Sequence, residues 1–254
     1  MAKVIAVANQ KGGVGKTTSA VNIAAGLGFQ GKKTLLVDVD PQGNATSGVG
    51  IDKRGVIATT YDLLVSEKEA QQIVVHTKYN CLDVLPSGID LAAAEFEMMD
   101  MPERANRLKR GLLKIKQNYD YVIIDCPPSL GLITTNALTA ADSIIVPIQC
   151  EYYALEGLSQ LMNTVRRVKR QTNNLLYIEG VLLTMYDGRL NLTQQVVNEV
   201  KQYFPKKVFS TVIPRTVRLS EAPSYGMPIM YYDKTNKGSA AYLDLAAEII
   251  KKES

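Results

Sequence analysis

The sequence predicts an α/β protein, with a doubly wound, mostly parallel sheet and helices on both faces. Short runs rich in Val, Ile and Leu alternate along the chain with longer segments of helical spacing. This is the order in which parallel strands are joined by crossover helices. The 254 residues also supply enough apolar side chains for one large core, so we expect residues 1–254 to form a single domain.

Seven apolar runs are predicted as strands that are buried on both faces, because they are continuous and do not alternate with polar residues. They are residues 4–8, 34–39, 82–85, 121–124, 143–148, 180–184 and 208–213. The segments between and after them have the spacing of amphipathic helices. The clearest of these are residues 18–28, 104–117, 155–170, 192–204 and a closing helix at 240–252.

Composition excludes several classes of protein. No stretch reaches the roughly 18–20 unbroken apolar residues that cross a bilayer, so a cytoplasmic protein is expected. Three widely spaced cysteines, Cys81, Cys126 and Cys150, predict reduced and mostly buried thiols, with no disulfide or zinc site. Residues 1–150 hold 15 Lys and Arg against 15 Asp and Glu, whereas residues 151–254 hold 14 against 10. This excess indicates either a polyanionic partner or an ordinary solvated surface.

A glycine-rich segment follows the first predicted strand and opens the first predicted helix. Glycines let successive backbone N–H groups turn inward around an anion, and the helix N-terminus adds the positive end of its dipole. This context predicts the phosphate-binding loop of a P-loop NTPase. The loop consists of Lys11, Gly12, Gly13, Val14, Gly15, Lys16, Thr17 and Thr18.

The side chains of this loop have distinct expected roles. Lys16 can reach the β- and γ-phosphates of a nucleotide, the Thr17 hydroxyl lies where a Mg²⁺ ligand is needed, and Thr18 can bond to the α-phosphate. The standard pattern would place its first glycine at position 10, where this chain has Gln10. Instead, the loop carries a second lysine, Lys11.

Carboxylates end two of the predicted strands. Asp38 and Asp40 close the second strand before a loop rich in Pro and Gly, and Asp125 closes the fourth. Ligands bind at this edge of open α/β sheets, and a charge on a buried strand is unfavourable unless it is paired. Both facts favour a functional role for these carboxylates over a solvated surface. Asp125 has the position of a Walker B carboxylate, which holds Mg²⁺ through water.

The loop resembles the deviant Walker A motif of the ParA/MinD superfamily. The resemblance covers nearly the whole chain and is closest to the ParA/Soj-type partitioning ATPases. The segments that carry it are NQKGGVGKTTSAVN (9–22), LLVDVDPQGNATSG (35–48), NYDYVIIDCPPSLG (118–131), QCEYYALEGLSQL (149–161), GVLLTMYD (180–187) and VIPRTVRLSEAPSYGMPI (212–229).

The resemblance implies a Mg-ATP-bound homodimer in which Lys11 reaches across to the phosphates of the other protomer. It also implies that Asp40 orients and activates the attacking water, and that Asp38 supports either Mg²⁺ or a lysine. The adenine would be held by Pro214, Thr216 and Asp187, in the loops after the last two strands. Pro214 could equally end a strand, and Thr216 could equally cap a helix.

The family further implies that the ATP dimer coats double-stranded DNA without reading its sequence, which places the protein on the nucleoid. Arg189 and Arg218 match positions tied to DNA binding. Six further basic residues are candidates because they cluster, but a solvated surface explains them better. They are Arg166, Arg167, Lys169, Arg170, Lys206 and Lys207. A ParB/Spo0J-type protein is the implied partner that stimulates hydrolysis. The loop begins at residue 11, so we expect no N-terminal helix-turn-helix domain.

Three other functions share this fold. A MinD-like membrane ATPase would need an amphipathic tail beyond the closing helix, and none is expected here. An iron–sulfur reductase would need paired cluster cysteines, whereas Cys126 precedes Pro127 and Pro128. A small-molecule ligase or kinase remains open on the nucleotide site alone, because that site only prepares a phosphate for attack. The match outside the site argues against it.

Overall fold

Seven strands form one sheet in the computed structural model, which describes residues 2–151 and 158–253. Their order across the sheet is β3-β4-β2-β5-β1-β6-β7. Neighbouring strands are parallel except for the antiparallel pair β3 and β4. This confirms the predicted fold class. The strands are β1 Lys3–Val7, β2 Thr34–Asp38, β3 Val75–His76, β4 Leu82–Leu85, β5 Tyr121–Asp125, β6 Ser143–Gln149 and β7 Tyr177–Thr184.

Helices cover both faces of the sheet. Alternate residues of β1 belong to two separate hydrophobic clusters, with Ala6 in one and Ile5 in the other. The first cluster contains α3 to α8, and the second contains α1, α2 and α9 to α11. The helices are α1 Lys16–Phe29, α2 Asn44–Gly48, α3 Thr60–Leu64, α4 Leu91–Glu97, α5 Arg107–Leu113, α6 Leu132–Ala140, α7 Leu158–Gln171, α8 Asn191–Tyr203, α9 Val217–Glu221, α10 Ile229–Tyr232 and α11 Lys237–Lys251.

One predicted strand is wrong. Residues 208–213 run beside β7 but form only isolated parallel bridges, between Val181 and Val208 and between Tyr186 and Pro214. The ladder is interrupted because the backbone N–H groups of Ser210 and Thr211 donate to the Glu248 carboxylate of α11, at 2.9 and 3.0 Å. A carboxylate 38 residues away in the chain thus replaces the strand partner.

Smaller differences concern short or shifted elements. The two-residue strand β3 is too short to give a sequence pattern, and the helix predicted at 104–117 is limited to α5. The helix predicted at 155–170 is described from Leu158 onward, and residues 155–157 lie outside the described part. All three cysteines are free; Cys126 and Cys150 are buried, whereas Cys81 is exposed.

The carboxyl ends of the central strands position the site. β5 lies between β1 and β2, and their register aligns Asp125 with both Val7 and Asp38. The glycine-rich loop leaves β1 at the same edge. Phosphate loop and strand-end carboxylates are therefore neighbours. No helix in the described part of the chain is both long and apolar enough to cross a bilayer.

Candidate nucleotide-binding site

The glycine-rich loop has the backbone that an anion-binding turn requires. Gly13 and Gly15 have φ angles of 76° and 83°, in the left-handed region that favours glycine. Gly15 is the N-cap of α1 and offers no side chain to the free N–H groups of the first turn. A Cβ added at Gly12 or Gly13 would meet no atom within 4 Å. The loop thus leaves an open concavity lined by backbone N–H groups at a helix N-terminus.

Lys16 lies across this loop. Its ammonium group donates to the Lys11 carbonyl at 2.9 Å, and the residue is only 7% exposed. Burial lowers the pKa of Lys16, and the nearby carboxylates of Asp125 and Asp40 partly counteract this effect. A cation held so close to the helix N-terminus suits a phosphate chain better than an isolated ion.

Asp125 is a fully buried carboxylate at the end of β5. Both of its side-chain oxygens lack a partner of normal geometry among the described residues. Burial and the neighbouring Asp38 raise its pKa well above the usual range, while Thr17 and Lys16 lower it. A buried polar group without a partner is unfavourable unless something else satisfies it. Asp125 and the neighbouring Thr17 hydroxyl are therefore oxygen donors that could hold a cation.

The donor set fits Mg²⁺. Among residues 2–151 and 158–253, no three His, Cys, Asp or Glu side chains converge closely enough to hold a metal by themselves. Mg²⁺ typically keeps several waters and binds through one or two carboxylates together with substrate phosphates. One free carboxylate and one hydroxyl beside a phosphate loop meet this requirement.

Asp38 and Asp40 have different surroundings. Asp38 accepts three hydrogen bonds, from the Thr46 N–H and hydroxyl at 2.8 Å each and from the Asp40 N–H at 3.1 Å. Burial nevertheless raises the pKa of Asp38 to about 6. Asp40 accepts the Gln42 N–H at 2.9 Å, and the Ser87 hydroxyl donates to its backbone carbonyl at 2.7 Å. Asp38 therefore anchors the start of α2, whereas the Asp40 side chain keeps spare acceptor capacity.

A cavity of about 370 Å³ adjoins the loop on the side away from β2. Gly15 and Thr18 of the loop region line it together with Pro214 and Thr216. Thr216 also caps α9, because its hydroxyl accepts the Arg218 N–H at 3.3 Å. The other lining residues are Thr184, Met185, Ile213, Arg215, Leu219, Ser220, Pro223 and Tyr242. A mostly apolar slot beside a phosphate loop is the shape that a nucleobase requires.

The remaining sequence-predicted residues pair with other side chains of the same chain. Asp187 is not among the described residues that line the cavity; its carboxylate accepts Arg189 Nε and Nη2 at 2.9 and 2.6 Å. Arg218 pairs with Glu221 at 3.0 Å and with Asp233 at 3.5 Å. Both arginines are exposed. Their assignment to DNA and that of Asp187 to adenine stay predictions.

The residues that hold the loop of Asp38 and Asp40 were missed in the sequence. Thr46 bonds to Asp38 and accepts the Ser87 N–H at 3.0 Å. Ser87 in turn bonds to the Asp40 carbonyl. Thr46 lies in the segment 35–48, which carries the family resemblance. Ser87 follows a different strand, β4, and no sequence pattern marks Ser87 as part of the site.

The chain resembles known proteins over almost its whole length. A family model described as "AAA domain" matches residues 2–178. The sporulation initiation inhibitor protein Soj of Bacillus subtilis is 60% identical over 98% of this chain and 98% of its own length. The chain belongs to the ParA/Soj family of P-loop ATPases.

A second relative and a solved structure are also similar to this chain. The chromosome partitioning protein ParA of Myxococcus xanthus is 51% identical over 99% of the chain and 89% of its own length. A crystal structure of cobyrinic acid a,c-diamide synthase from Mycobacterium smegmatis, with ADP and magnesium, superposes with a TM-score of 0.88. The synthase is 38% identical to this chain, and the superposition covers 100% of this chain and 96% of the synthase. These two ParA/Soj proteins are thus more similar in sequence to this chain than the synthase is.

Proposed function

We propose that this chain is a Mg²⁺-dependent ATPase that partitions DNA. ATP binding drives formation of a sandwich homodimer, and the dimer binds double-stranded DNA without sequence preference. Hydrolysis, stimulated by a ParB/Spo0J-type partner, resets the monomer. One observation carries the proposal: an open glycine loop, the buried cation Lys16 and the unpartnered carboxylate Asp125 meet at one sheet edge in a chain 60% identical to Soj.

ATP and Mg²⁺ fit the residues on this edge. The backbone of residues 11–18 holds the phosphates, Lys16 contacts the β- and γ-phosphates, and Thr18 bonds to the α-phosphate. Pro214 and Thr216 hold the adenine in the adjoining cavity, with Asp187 as the third candidate. Thr17 and Asp125, the latter through water, would hold Mg²⁺, which when bound neutralises charge on the phosphate oxygens.

Hydrolysis then depends mainly on positioning. Asp40 is fixed at both ends, since Ser87 holds its carbonyl and the Gln42 N–H holds one carboxylate oxygen. Its spare acceptor capacity can orient a water and take its proton. Asp38 does not face that water, because Thr46 and the Asp40 N–H occupy its oxygens. Asp38 contributes by holding the Asp40 loop in place.

Lys11 acts in the other protomer. Its ammonium group forms no hydrogen bond or ion pair within the described residues, although its carbonyl accepts Lys16. Lys11→Ala should therefore retain nucleotide binding but lose ATP-dependent dimerisation and most hydrolysis. Nucleotide titration calorimetry and sedimentation with ATP measure the two properties separately. A variant that still dimerises would show that Lys11 acts only within its own protomer.

The DNA surface consists of exposed arginines that are paired within the chain. Arg189 is held by Asp187, and Arg218 by Glu221 and Asp233. Exposed ion pairs are weak and are screened by salt, so phosphates can compete for both guanidinium groups. A dimer presents two copies of this surface at once, which raises DNA affinity through effective concentration.

Arg189→Ala and Arg218→Ala should each weaken binding to unrelated duplexes about equally and reduce the salt slope by about one unit. Both variants should still form the ATP dimer. The measurement is DNA retention with ATP or ADP at two salt concentrations, with anionic liposomes as the competing surface. Arg54→Ala, an exposed arginine paired with Asp52, is the matched control.

Each alternative has its own outcome. Preference of the wild type for liposomes would indicate a membrane-surface ATPase. Unchanged DNA affinity and salt dependence in both arginine variants would show that neither arginine contacts DNA. We further propose that residues 1–254 act as one domain and that the ATP form associates with the nucleoid in the cytoplasm.

A further inference from the structure

Asn9 is a buried polar residue between β1 and the glycine-rich loop. It is 4% exposed. Its amide nitrogen donates to the Pro147 carbonyl of β6 at 2.7 Å, and its amide oxygen accepts the Lys11 N–H at 3.1 Å. A buried amide with one partner for its nitrogen and another for its oxygen is held in one orientation. Asn9 thus joins the start of the loop to the neighbouring strand.

The bond to Pro147 extends the pairing of β1 with β6. The last backbone bond between them is that of the Ala8 N–H, which donates to the Ile145 carbonyl at 3.1 Å. In a parallel ladder, the N–H two residues further along, that of Gln10, would be the next donor and Pro147 the next acceptor. The Asn9 side chain takes this carbonyl instead. The main chain can therefore leave the sheet after Ala8 without leaving a buried acceptor unpaired.

The bond to Lys11 fixes one side of that residue's backbone, and Lys16 fixes the other. Asn9 holds the Lys11 N–H, and the Lys11 carbonyl accepts the Lys16 ammonium group at 2.9 Å. The peptide units before and after the Lys11 Cα are therefore both anchored, which restricts the two dihedral angles between them. These backbone atoms determine the direction of the Cα–Cβ bond. Asn9 and Lys16 together thus set the direction in which the Lys11 side chain leaves the loop.

We propose that Asn9 is a positioning residue that prepares Lys11 for the phosphates of the other protomer. The inference rests on the proposed cross-protomer role of Lys11. A lysine side chain loses much rotational freedom when its ammonium group is bound. A backbone that is fixed before the protomers meet removes part of the ordering that dimerisation would otherwise require. Asn9 acts through Lys11.

A second anchor holds the far part of the loop. The Thr184 hydroxyl at the end of β7 donates to the Val14 carbonyl at 2.9 Å, and Thr184 is 2% exposed. Gly12 and Gly13 separate Val14 from Lys11. Because glycine restricts the backbone least, this anchor shapes the phosphate-binding half of the loop without setting the direction of Lys11. Loss of the buried amide should therefore affect dimerisation more than nucleotide affinity.

The test compares Asn9→Ala with Asn9→Ser in the full chain. Both lose the bond to Pro147, since neither side chain reaches as far as the asparagine amide nitrogen, but a serine hydroxyl can still accept an N–H two residues on. Asn9→Ala should raise the protein concentration for half-maximal dimerisation with a non-hydrolysable ATP analogue about tenfold, while the affinity for the analogue changes by less than about threefold. Asn9→Ser should dimerise nearly as the wild type does. Sedimentation and titration calorimetry measure the two properties.

Asn173→Ala is the matched control for the loss of a bonded amide. The Asn173 amide follows α7 and donates to three backbone carbonyls, at 2.7 Å to that of Ala141. Asn173→Ala should lower the unfolding temperature without changing the concentration for dimerisation. Wild-type dimerisation of Asn9→Ala, or equal losses in Asn9→Ala and Asn9→Ser, would show that the Asn9 amide only extends the sheet and would overturn the positioning role.

Hydrogen exchange of the Lys11 amide tests the inference in the wild type, where folding of a variant is not at issue. Without nucleotide, the Lys11 N–H should exchange more slowly, relative to its intrinsic rate, than the N–H of the exposed Gly12. Rapid exchange at Lys11 would contradict an anchored backbone. Failure of the wild type to dimerise with the ATP analogue, or normal dimerisation of Lys11→Ala, would instead overturn the cross-protomer role of Lys11, and the inference with it.

Discussion

Lys16→Ala is expected to abolish ATP binding. The ammonium group is the one buried cation that the described residues place at the phosphate loop, and it is directed by the Lys11 carbonyl. Its charge-assisted contacts to two phosphates would be lost together, so affinity should fall by about a hundredfold or more. Titration calorimetry with ATP and Mg²⁺ measures the loss directly.

Lys109→Ala provides the control for Lys16→Ala, since Lys109 is an exposed lysine on α5. It should bind ATP as the wild type does. Because burial of an ammonium group is unfavourable, Lys16→Ala should not unfold at a lower temperature than the wild type in the absence of nucleotide. Near-normal ATP affinity would show that the loop does not hold the phosphates as proposed.

Asp40→Ala is expected to bind ATP and dimerise but to hydrolyse about a hundredfold more slowly or worse. The substitution removes the carboxylate proposed to orient water, while the backbone carbonyl still accepts Ser87 and the phosphate loop is untouched. The ATP dimer should therefore accumulate. Single-turnover hydrolysis and light scattering with ATP measure the rate and the dimer.

Asp40→Asn separates charge from hydrogen bonding, because its amide oxygen can still accept the Gln42 N–H. It should be as slow as Asp40→Ala if the negative charge activates the water. A dimer that fails to form in either variant, or turnover at the wild-type rate, would assign Asp40 to another role.

Much of the site could be predicted from the sequence because it depends on local backbone. A glycine loop between a strand and a helix has few conformations, and the observed positive φ angles of Gly13 and Gly15 are those that glycine allows. Likewise, a carboxylate at the end of a continuous apolar run must lie at a sheet edge. Asp38 and Asp125 do so, aligned on adjacent strands.

Other features could not be predicted, because they depend on which side chain pairs with which polar group. Residues 208–213 have the apolar pattern of a strand, yet Glu248 takes two of their N–H groups. The family resemblance predicts that Asp187 holds adenine, and in the structure a guanidinium two residues away binds both of its oxygens. A carboxylate acceptor pairs with the backbone in the first case and a guanidinium donor pairs with the carboxylate in the second, and periodicity contains no information about either pairing.

The sequence by itself determined the fold class, the phosphate loop and the strands whose ends carry the acidic residues, since hydrophobic periodicity and glycine stereochemistry act over a few residues. Only the tertiary structure decided the state of each group. It buries Asp125 beside Asp38, surrounds Asp38 with donors, buries Lys16 and holds the Asp40 carbonyl through Ser87. These properties arise from burial and from hydrogen bonds between strands that the chain order separates, and both exist only after the sheet has assembled.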